Sequence, residues 1–126
     1  MRDERDVSVV VPTHNRAALL SRTIDSLLDQ CADGVRYEII VVDNNSKDDT
    51  REIVESYCRR SRDVRYIFEP RQGVSYARNT GTAAARAPII AFIDDDVEAE
   101  RGWLAALVRA LAAHPDVDCL GGRIEA

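Results

Sequence analysis

Five short runs rich in β-branched and aromatic residues, Val7–Val11, Glu38–Val42, Val64–Phe68, Ile89–Ile93 and Val117–Leu120, recur along the chain with polar punctuation at both ends. Between them, apolar residues fall at helical spacing: Leu20, Ile24, Leu27, Leu28 and Cys31; Ile53, Val54, Tyr57 and Cys58; Leu104, Leu107, Val108 and Leu111. A run of period two or of continuous apolar character predicts a strand, and a stripe every three or four residues predicts a helix face. Strand and helix alternate from end to end, so the economical architecture is an α/β fold, an open, mainly parallel sheet with right-handed crossovers. At 126 residues the chain is long enough for one domain and too short for two of ordinary size, so residues 1–126 are read as a single unit.

The strands differ in character. The first, second and fourth are nearly continuous apolar runs, which predicts central positions, whereas Arg65 among the large residues of Val64–Phe68 predicts a place nearer an edge. The segment Ser75–Arg86 reads as a helix whose small residues Ala77, Gly81 and Ala84 let its backbone lie close to its neighbours. Ser46 is expected to cap the second helix, with Asp48 and Asp49 in its first turn favourably placed for the helix dipole.

Composition narrows the function classes. The net charge is −5, from 22 acidic and 17 basic residues, and no basic run or aromatic-basic stripe could neutralise a series of phosphates, which argues against nucleic acid. The charged N-terminus followed by the short run Val7–Val11 gives neither a signal-peptide core nor a membrane span. Cys31, Cys58 and Cys119 are odd in number, widely spaced and set in apolar patterns, so they are read as reduced core thiols of a cytoplasmic protein.

In open parallel sheets ligands bind beyond the carboxyl ends of the strands, and three of the first four strands end in polar clusters. These are Pro12-Thr13-His14-Asn15-Arg16, Asp43-Asn44-Asn45-Ser46 and Asp94-Asp95-Asp96, and a parallel sheet places them on one rim. Asp, Asn and Ser also favour turns and caps, but capping requires one carboxylate and not three. Three adjacent acids at the end of a buried strand repel one another and lose hydration, so a divalent cation is their natural partner. A dinucleotide-binding turn is excluded because Thr13-His14-Asn15-Arg16-Ala17-Ala18 contains no glycine, and no phosphate-binding loop of the G-x-x-x-x-G-K-[ST] kind occurs. Phosphates without a glycine cradle are better held through a cation.

The four segments Val9–Arg16, Ile39–Ser46, Gly73–Gly81 and Ala91–Asp96, in this order and spacing, resemble the family 2 glycosyltransferases of the GT-A fold. The resemblance covers essentially the whole chain and implies a Rossmann-like domain of which this sequence is the N-terminal part, incomplete at the C-terminus. It implies a nucleotide-diphosphate-sugar donor, UDP-linked in many members, held with Mg²⁺ or Mn²⁺, and transfer of the sugar to an acceptor, commonly with inversion. Pro12, Thr13 and Asn15 match the family's loop against base and ribose, Asp43 matches the acid that accepts a hydrogen bond from the base, and Arg78 matches a basic position near the diphosphate or the acidic motif. Asp94 falls on the ribose side of the D-x-D pattern and Asp96 on the metal, with Asp95 the alternative ligand. Trp103 matches an aromatic position after that motif, and its helical spacing with Leu104 and Leu107 equally suits the core. His14 and His114 carry no partner pattern.

The general base that the resemblance implies is expected beyond Ala126, since Glu125 does not match its position. Other readings are a non-catalytic nucleotide-binding module and a nucleotidyltransferase of the same fold; the missing glycine-rich loop after the first strand argues against the latter. Self-association through apolar surface on the fourth and fifth strands is also expected. The reduced thiols lead to the expectation of a cytoplasmic location, free or at the inner face of a membrane.

Overall fold

The computed structural model describes residues 5–116. Four strands, β1 (Val7–Thr13), β2 (Tyr37–Asp43), β3 (Val64–Phe68) and β4 (Ile89–Phe92), alternate with four helices, α1 (Ala17–Leu28), α2 (Thr50–Arg60), α3 (Val74–Ala84) and α4 (Trp103–Ala113). All strand pairs are parallel and the spatial order is β3-β2-β1-β4. The β3 edge position is as its sequence predicts. β4 differs from expectation, because among the described residues it is the other edge. The fifth predicted strand, Val117–Leu120, and with it Cys119 and Glu125, lies outside the described residues.

Alternation along β1 divides the core between two faces. Val7, Val9 and Val11 point to one side with Leu20, Ile24 and Leu27 of α1, Val54 and Tyr57 of α2 and Leu104 of α4. Val10 points to the other side with Ile40, Val42 and Ala77 of α3. Three helices therefore cover one face and α3 the second. The close approach of α3 depends on Gly81: a Cβ there would stand 2.4 Å from Val10 Cγ1 and 3.2 Å from Val42 Cγ2, so any side chain must push helix from sheet.

At the amino-terminal edge of the sheet, Glu38 is 1% exposed and accepts hydrogen bonds from Ser8 Oγ (2.5 Å), Arg86 N (2.9 Å) and Arg65 Nε (3.0 Å). Arg65 also donates to the carbonyl of Ala84 at 2.6 Å, so the buried charge ties the end of α3 to β1, β2 and β3. Burial works to raise the Glu38 carboxyl, but the Ser8, Arg86 and Arg65 donors outweigh it and hold it below the ordinary glutamate range. This network is distant from the carboxyl-end rim and fixes the scaffold.

Two local expectations are corrected. α2 begins at Thr50 with Asp49 as its N-cap residue, and the carboxylate that closes its first turn is Asp48, which accepts from Thr50 N at 3.1 Å and Thr50 Oγ1 at 2.5 Å. The second Asp48 oxygen accepts from Ala17 N at 3.2 Å, so one acid serves the starts of α1 and α2, and Ser46 is freed for another bond. Burial works against ionising Asp48, yet the Thr50 and Ala17 donors prevail and lower its pKa. Cys31 is exposed, because α1 ends at Leu28 and the apolar spacing that includes it continues past the helix. Cys58 is half-buried and packs on the core, and burial pushes its thiol up.

Candidate functional site

The register aligns the rim. Thr13 pairs with Asp43 and Asp43 with Phe68, so β1, β2 and β3 end level, while Phe92 of β4 pairs with Val10. Ile93 N still donates to Val10 O at 3.2 Å, which carries the chain past β4 and delivers Asp94, Asp95 and Asp96 beside the end of β1. The three polar clusters that the sequence places after β1, β2 and β4 are thus neighbours.

Asp43 is buried, 2% exposed, and both its oxygens are engaged: Oδ1 accepts from Ser46 N at 2.9 Å and Oδ2 from the Tyr66 hydroxyl at 2.6 Å. Burial, then donation to Asp43 and its charge, push the Tyr66 hydroxyl up, so Tyr66 remains a donor and holds the carboxylate in one orientation. Asn44 is buried and its side chain knits two loops together. Its Nδ2 donates to the carbonyls of Glu69 (3.2 Å) and Arg71 (2.6 Å), and its Oδ1 accepts from Gly73 N (3.0 Å). Its own backbone N donates to Thr13 O (2.8 Å) and its carbonyl meets His14 Nδ1 (2.7 Å), which fixes the loops after β1, β2 and β3 as one unit. Gly73, at φ 138°, supplies the turn into α3 in a conformation that L side chains rarely adopt.

Glu69 extends that unit. Its buried carboxylate accepts from Arg71 N (2.8 Å), Arg71 Nε (3.1 Å) and Nη2 (3.0 Å), and from Thr80 Oγ1 (2.5 Å) on α3. The Arg71 guanidinium, helped by Thr80 and the Arg71 amide, pulls the Glu69 carboxyl down to about 2. The same guanidinium lies over the Tyr76 ring, 4.6 Å from its centroid.

The acidic loop is held by less. Asp95 is buried, with Oδ2 accepting from Thr13 Oγ1 at 2.9 Å. Its other oxygen, Oδ1, faces Arg16 Nη1 at 3.4 Å, and the same nitrogen stands 3.2 Å from Asp96 Oδ2. Asp94 and Asp96 are exposed. Hard carboxylate oxygens of this kind suit Mg²⁺ or Mn²⁺. Among the described residues no group of three acidic, His or Cys side chains is gathered closely enough to enclose an ion. The donor set therefore fits an ion bound through one or two carboxylates that completes its shell with phosphate and water. That a guanidinium already sits between Asp95 and Asp96 shows that the pair attracts positive charge.

The remaining site candidates fall into two groups. Pro12 is half-buried within β1 opposite Val42, and Thr13 links the rim to Asp95. Asn15, in the left-handed region at φ 52°, accepts from Lys47 N at 2.7 Å and donates its backbone N to Ser46 Oγ at 2.9 Å, so its side chain is committed to joining the first two loops. Arg78 is exposed on α3 with its guanidinium 6.0 Å from the Phe92 ring centroid, which brings it near the end of β4 and to no carboxylate among the described residues. Trp103 packs half-buried against the core, in keeping with its helical spacing. His14 donates through Nδ1 to Asn44 O, and its Nε2 faces Asn15 Nδ2 at 3.1 Å.

Tyr66, Asn44, Glu69 and Arg16 carry much of this geometry and escaped assignment from sequence. Asn44 and Arg16 stand inside the polar clusters beside Asp43 and Asn15, and their partners Arg71, Gly73, Asp95 and Asp96 are distant in sequence. Tyr66 becomes visible only with the β2–β3 register, which sets it two residues before the partner of Asp43 and on the same face.

An open parallel α/β domain whose carboxyl-end rim combines an oriented buried acid with an exposed acidic loop is the class that fold and geometry define. The chain belongs to a family within it: the family profile described as "Glycosyl transferase family 2" matches residues 8–126. Among curated relatives, the validoxylamine A glucosyltransferase of Streptomyces hygroscopicus subsp. jinggangensis is 43% identical over 110 residues, 86% of this chain and 25% of that protein. Glycosyltransferase AglE of Haloferax volcanii is 33% identical over 120 residues, 94% of this chain and 39% of that protein. This chain thus spans about a quarter to two-fifths of these relatives. Among solved structures, S. aureus TarS residues 1–349 superposes with a TM-score of 0.78 at 26% identity over 87% of this chain and 33% of that one. The mannosyltransferase PcManGT of Pyrobaculum calidifontis, in complex with GDP-Man and Mn²⁺, superposes with a TM-score of 0.77 at 32% identity over 86% and 33%. TarS has also been solved with UDP-GlcNAc, and that form superposes with a TM-score of 0.76 at 25% identity over 87% and 32%.

Proposed function

We propose that this chain is the donor-binding part of a glycosyltransferase: it binds a nucleotide-diphosphate sugar, UDP-linked, together with Mn²⁺ or Mg²⁺, for transfer of the sugar to an acceptor with inversion. The observation that carries the reading is the shared rim, on which an oriented, buried Asp43 and a cation-attracting Asp95–Asp96 pair are joined through Thr13. In this reading Asp43 receives the base, with Tyr66 keeping the carboxylate aimed, and Pro12, Thr13 and Asn15 shape the wall against base and ribose. Asp94 faces the ribose, Asp96 or Asp95 ligates the ion, and Arg78 lies toward the diphosphate.

A bound divalent ion would neutralise charge developing on the departing nucleoside diphosphate. The acceptor oxygen attacks the anomeric carbon, the bond to the diphosphate oxygen breaks, and the proton of the acceptor passes to a base assigned beyond Ala126. Residues 1–126 are then the donor half of a single longer domain, and the donors bound by TarS and PcManGT make UDP and GDP the nucleotides to compare. The free thiols of Cys31 and Cys58 are in keeping with a reducing, cytoplasmic setting. Among the described residues no helix is long and apolar enough to cross a membrane.

Isothermal titration with UDP, Mn²⁺ and their combination tests the reading. Binding of UDP that strengthens with Mn²⁺ supports it, and a folded protein that binds none of the three combinations removes it.

A further inference from the structure

Arg16 stands where a cation would stand. Its Nη1 approaches Asp95 Oδ1, the oxygen that Thr13 leaves open, at 3.4 Å and Asp96 Oδ2 at 3.2 Å. Both distances exceed the 2.7–2.9 Å of a tight charge-assisted bond, and one nitrogen is shared between two acids rather than forked bidentately onto one. The Arg16 side chain is 52% exposed, and an ion pair this open and this long is weak. Its backbone is nonetheless fixed: Asn15 before it is tied to Ser46 and Lys47, and the Arg16 carbonyl accepts from Leu20 N at 2.9 Å as α1 begins. The residue is a charged tip on an anchored base.

We propose that Arg16 is a placeholder for the divalent ion: its guanidinium partly offsets the charge of Asp95 and Asp96 when no ion is bound, and an ion held by either carboxylate would displace it. The proposal rests on the donor reading above. An ion held by Asp95 or Asp96 would draw on the same carboxylate charge that Arg16 meets, so the guanidinium and the ion would compete. Once displaced, Arg16 no longer restrains the acidic loop, but the Thr13–Asp95 bond does, because it uses the opposite oxygen. The consequence is that the intact chain binds a free divalent ion more weakly than its carboxylates alone would allow, and the ion is retained chiefly when a diphosphate brings further ligands.

The test is Mn²⁺ binding without nucleotide, followed by the free-Mn²⁺ electron paramagnetic resonance signal, for the wild-type chain, Arg16→Gln and Arg16→Lys. Since Arg16 is exposed and Gln can span part of its length, circular dichroism is expected to show an unchanged fold. Removal of a competing exposed pair is expected to tighten Mn²⁺ binding by about twofold to fivefold in Arg16→Gln, with Arg16→Lys closer to wild type. In a parallel Mg²⁺ titration of the ¹⁵N-labelled wild type, the Arg16 Nε–Hε resonance should shift with the same midpoint as ion binding. An unchanged or weaker Mn²⁺ affinity in Arg16→Gln, or no Mn²⁺ binding by any of the three proteins, overturns the proposal. If UDP still binds with Mn²⁺ in that event, the donor reading stands and only the placeholder fails. If UDP binding is also absent, both fail.

Discussion

At the β2–β3 end of the rim polar groups are buried and bonded to one another, whereas at the β4 end Asp94 and Asp96 are exposed and the buried Asp95 shares with Asp96 one long ion pair to Arg16. Asp43, Asn44 and Glu69 together use Tyr66, Ser46, Gly73, Arg71 and Thr80: Tyr66 joins two strands, Gly73 and Thr80 tie loops to α3 and its start, and Ser46 and Arg71 close local turns. Asp95 has one such anchor, Thr13, while Asp94 and Asp96 face solvent. A buried polar network with its partners in place is rigid and costly to disturb, whereas an exposed cluster of like charge rests on whatever cation is available. One end of the rim is therefore built by the fold, and the other, in the proposed function, is completed by what binds.

The largest effect is expected from Asn44→Ala, which leaves two carbonyls and the Gly73 amide without their partner. Loss of about 3 kcal/mol in urea denaturation is the expected result, on the scale of several unsatisfied buried groups, together with loss of nucleotide binding. A loss below about 0.5 kcal/mol, the range of an ordinary surface change, would mean that the β2–β3 end is no more built than the acidic loop.

Tyr66→Phe removes one bond to a charged acceptor and leaves the ring in place. Destabilisation of about 2 kcal/mol is expected, with weaker UDP binding and unaltered affinity for Mn²⁺ alone. An equal loss of both affinities would erase the distinction between the two ends.

Acid sharpens the same contrast. Glu69 titrates near 2 in the fold and near 4.3 when unfolded, so the folded chain holds its proton less readily. Its contribution to stability is fully present above about pH 4.3 and falls away as the pH drops through that value toward 2. Asp48 and Glu38, also lowered, act in the same direction. Glu69→Gln should flatten part of the acid limb of a stability-versus-pH curve, and a superimposable curve would show that Glu69 is not held as described.

Much of this division could be read before the structure, and the parts that could not share a cause. The alternation of strands and helices, the common rim and the acidic loop follow from local pattern, because period and adjacency are local properties. The cap of α2 does not: Ser46 and Asp48 are equally good acceptors, and the choice fell to Asp48 because it also meets Ala17 across the gap to α1. Cys31 kept helical spacing beyond the end of α1 and so looked buried. The place of β4 could not be read from its apolar run, which describes neighbours and not their number. Phe92 there is 46% exposed, and Phe68 on the opposite edge strand 47%. Tyr66 and Arg16 act across register and across loops, where only the folded chain brings the partners together.

The smallest effect on stability is expected at the acidic end. Asp96→Asn should change unfolding free energy by less than about 0.5 kcal/mol, as for an exposed side chain with one weak pair. A loss of several times that size would place Asp96 among the structural groups.

The most direct measurement is calorimetric titration of UDP, with and without Mn²⁺, into the wild type, Asp43→Asn and Asp96→Asn, each shown to be folded. The account predicts that Mn²⁺ tightens UDP binding to the wild type by about tenfold or more, equivalent to about 1.4 kcal/mol. Asp96→Asn should keep the weaker, metal-independent binding and lose the gain, while Asp43→Asn should weaken UDP binding in both conditions. A gain from Mn²⁺ that survives Asp96→Asn undiminished, or UDP binding indifferent to Asp43→Asn, would contradict a site divided between a built end and an ion-dependent one.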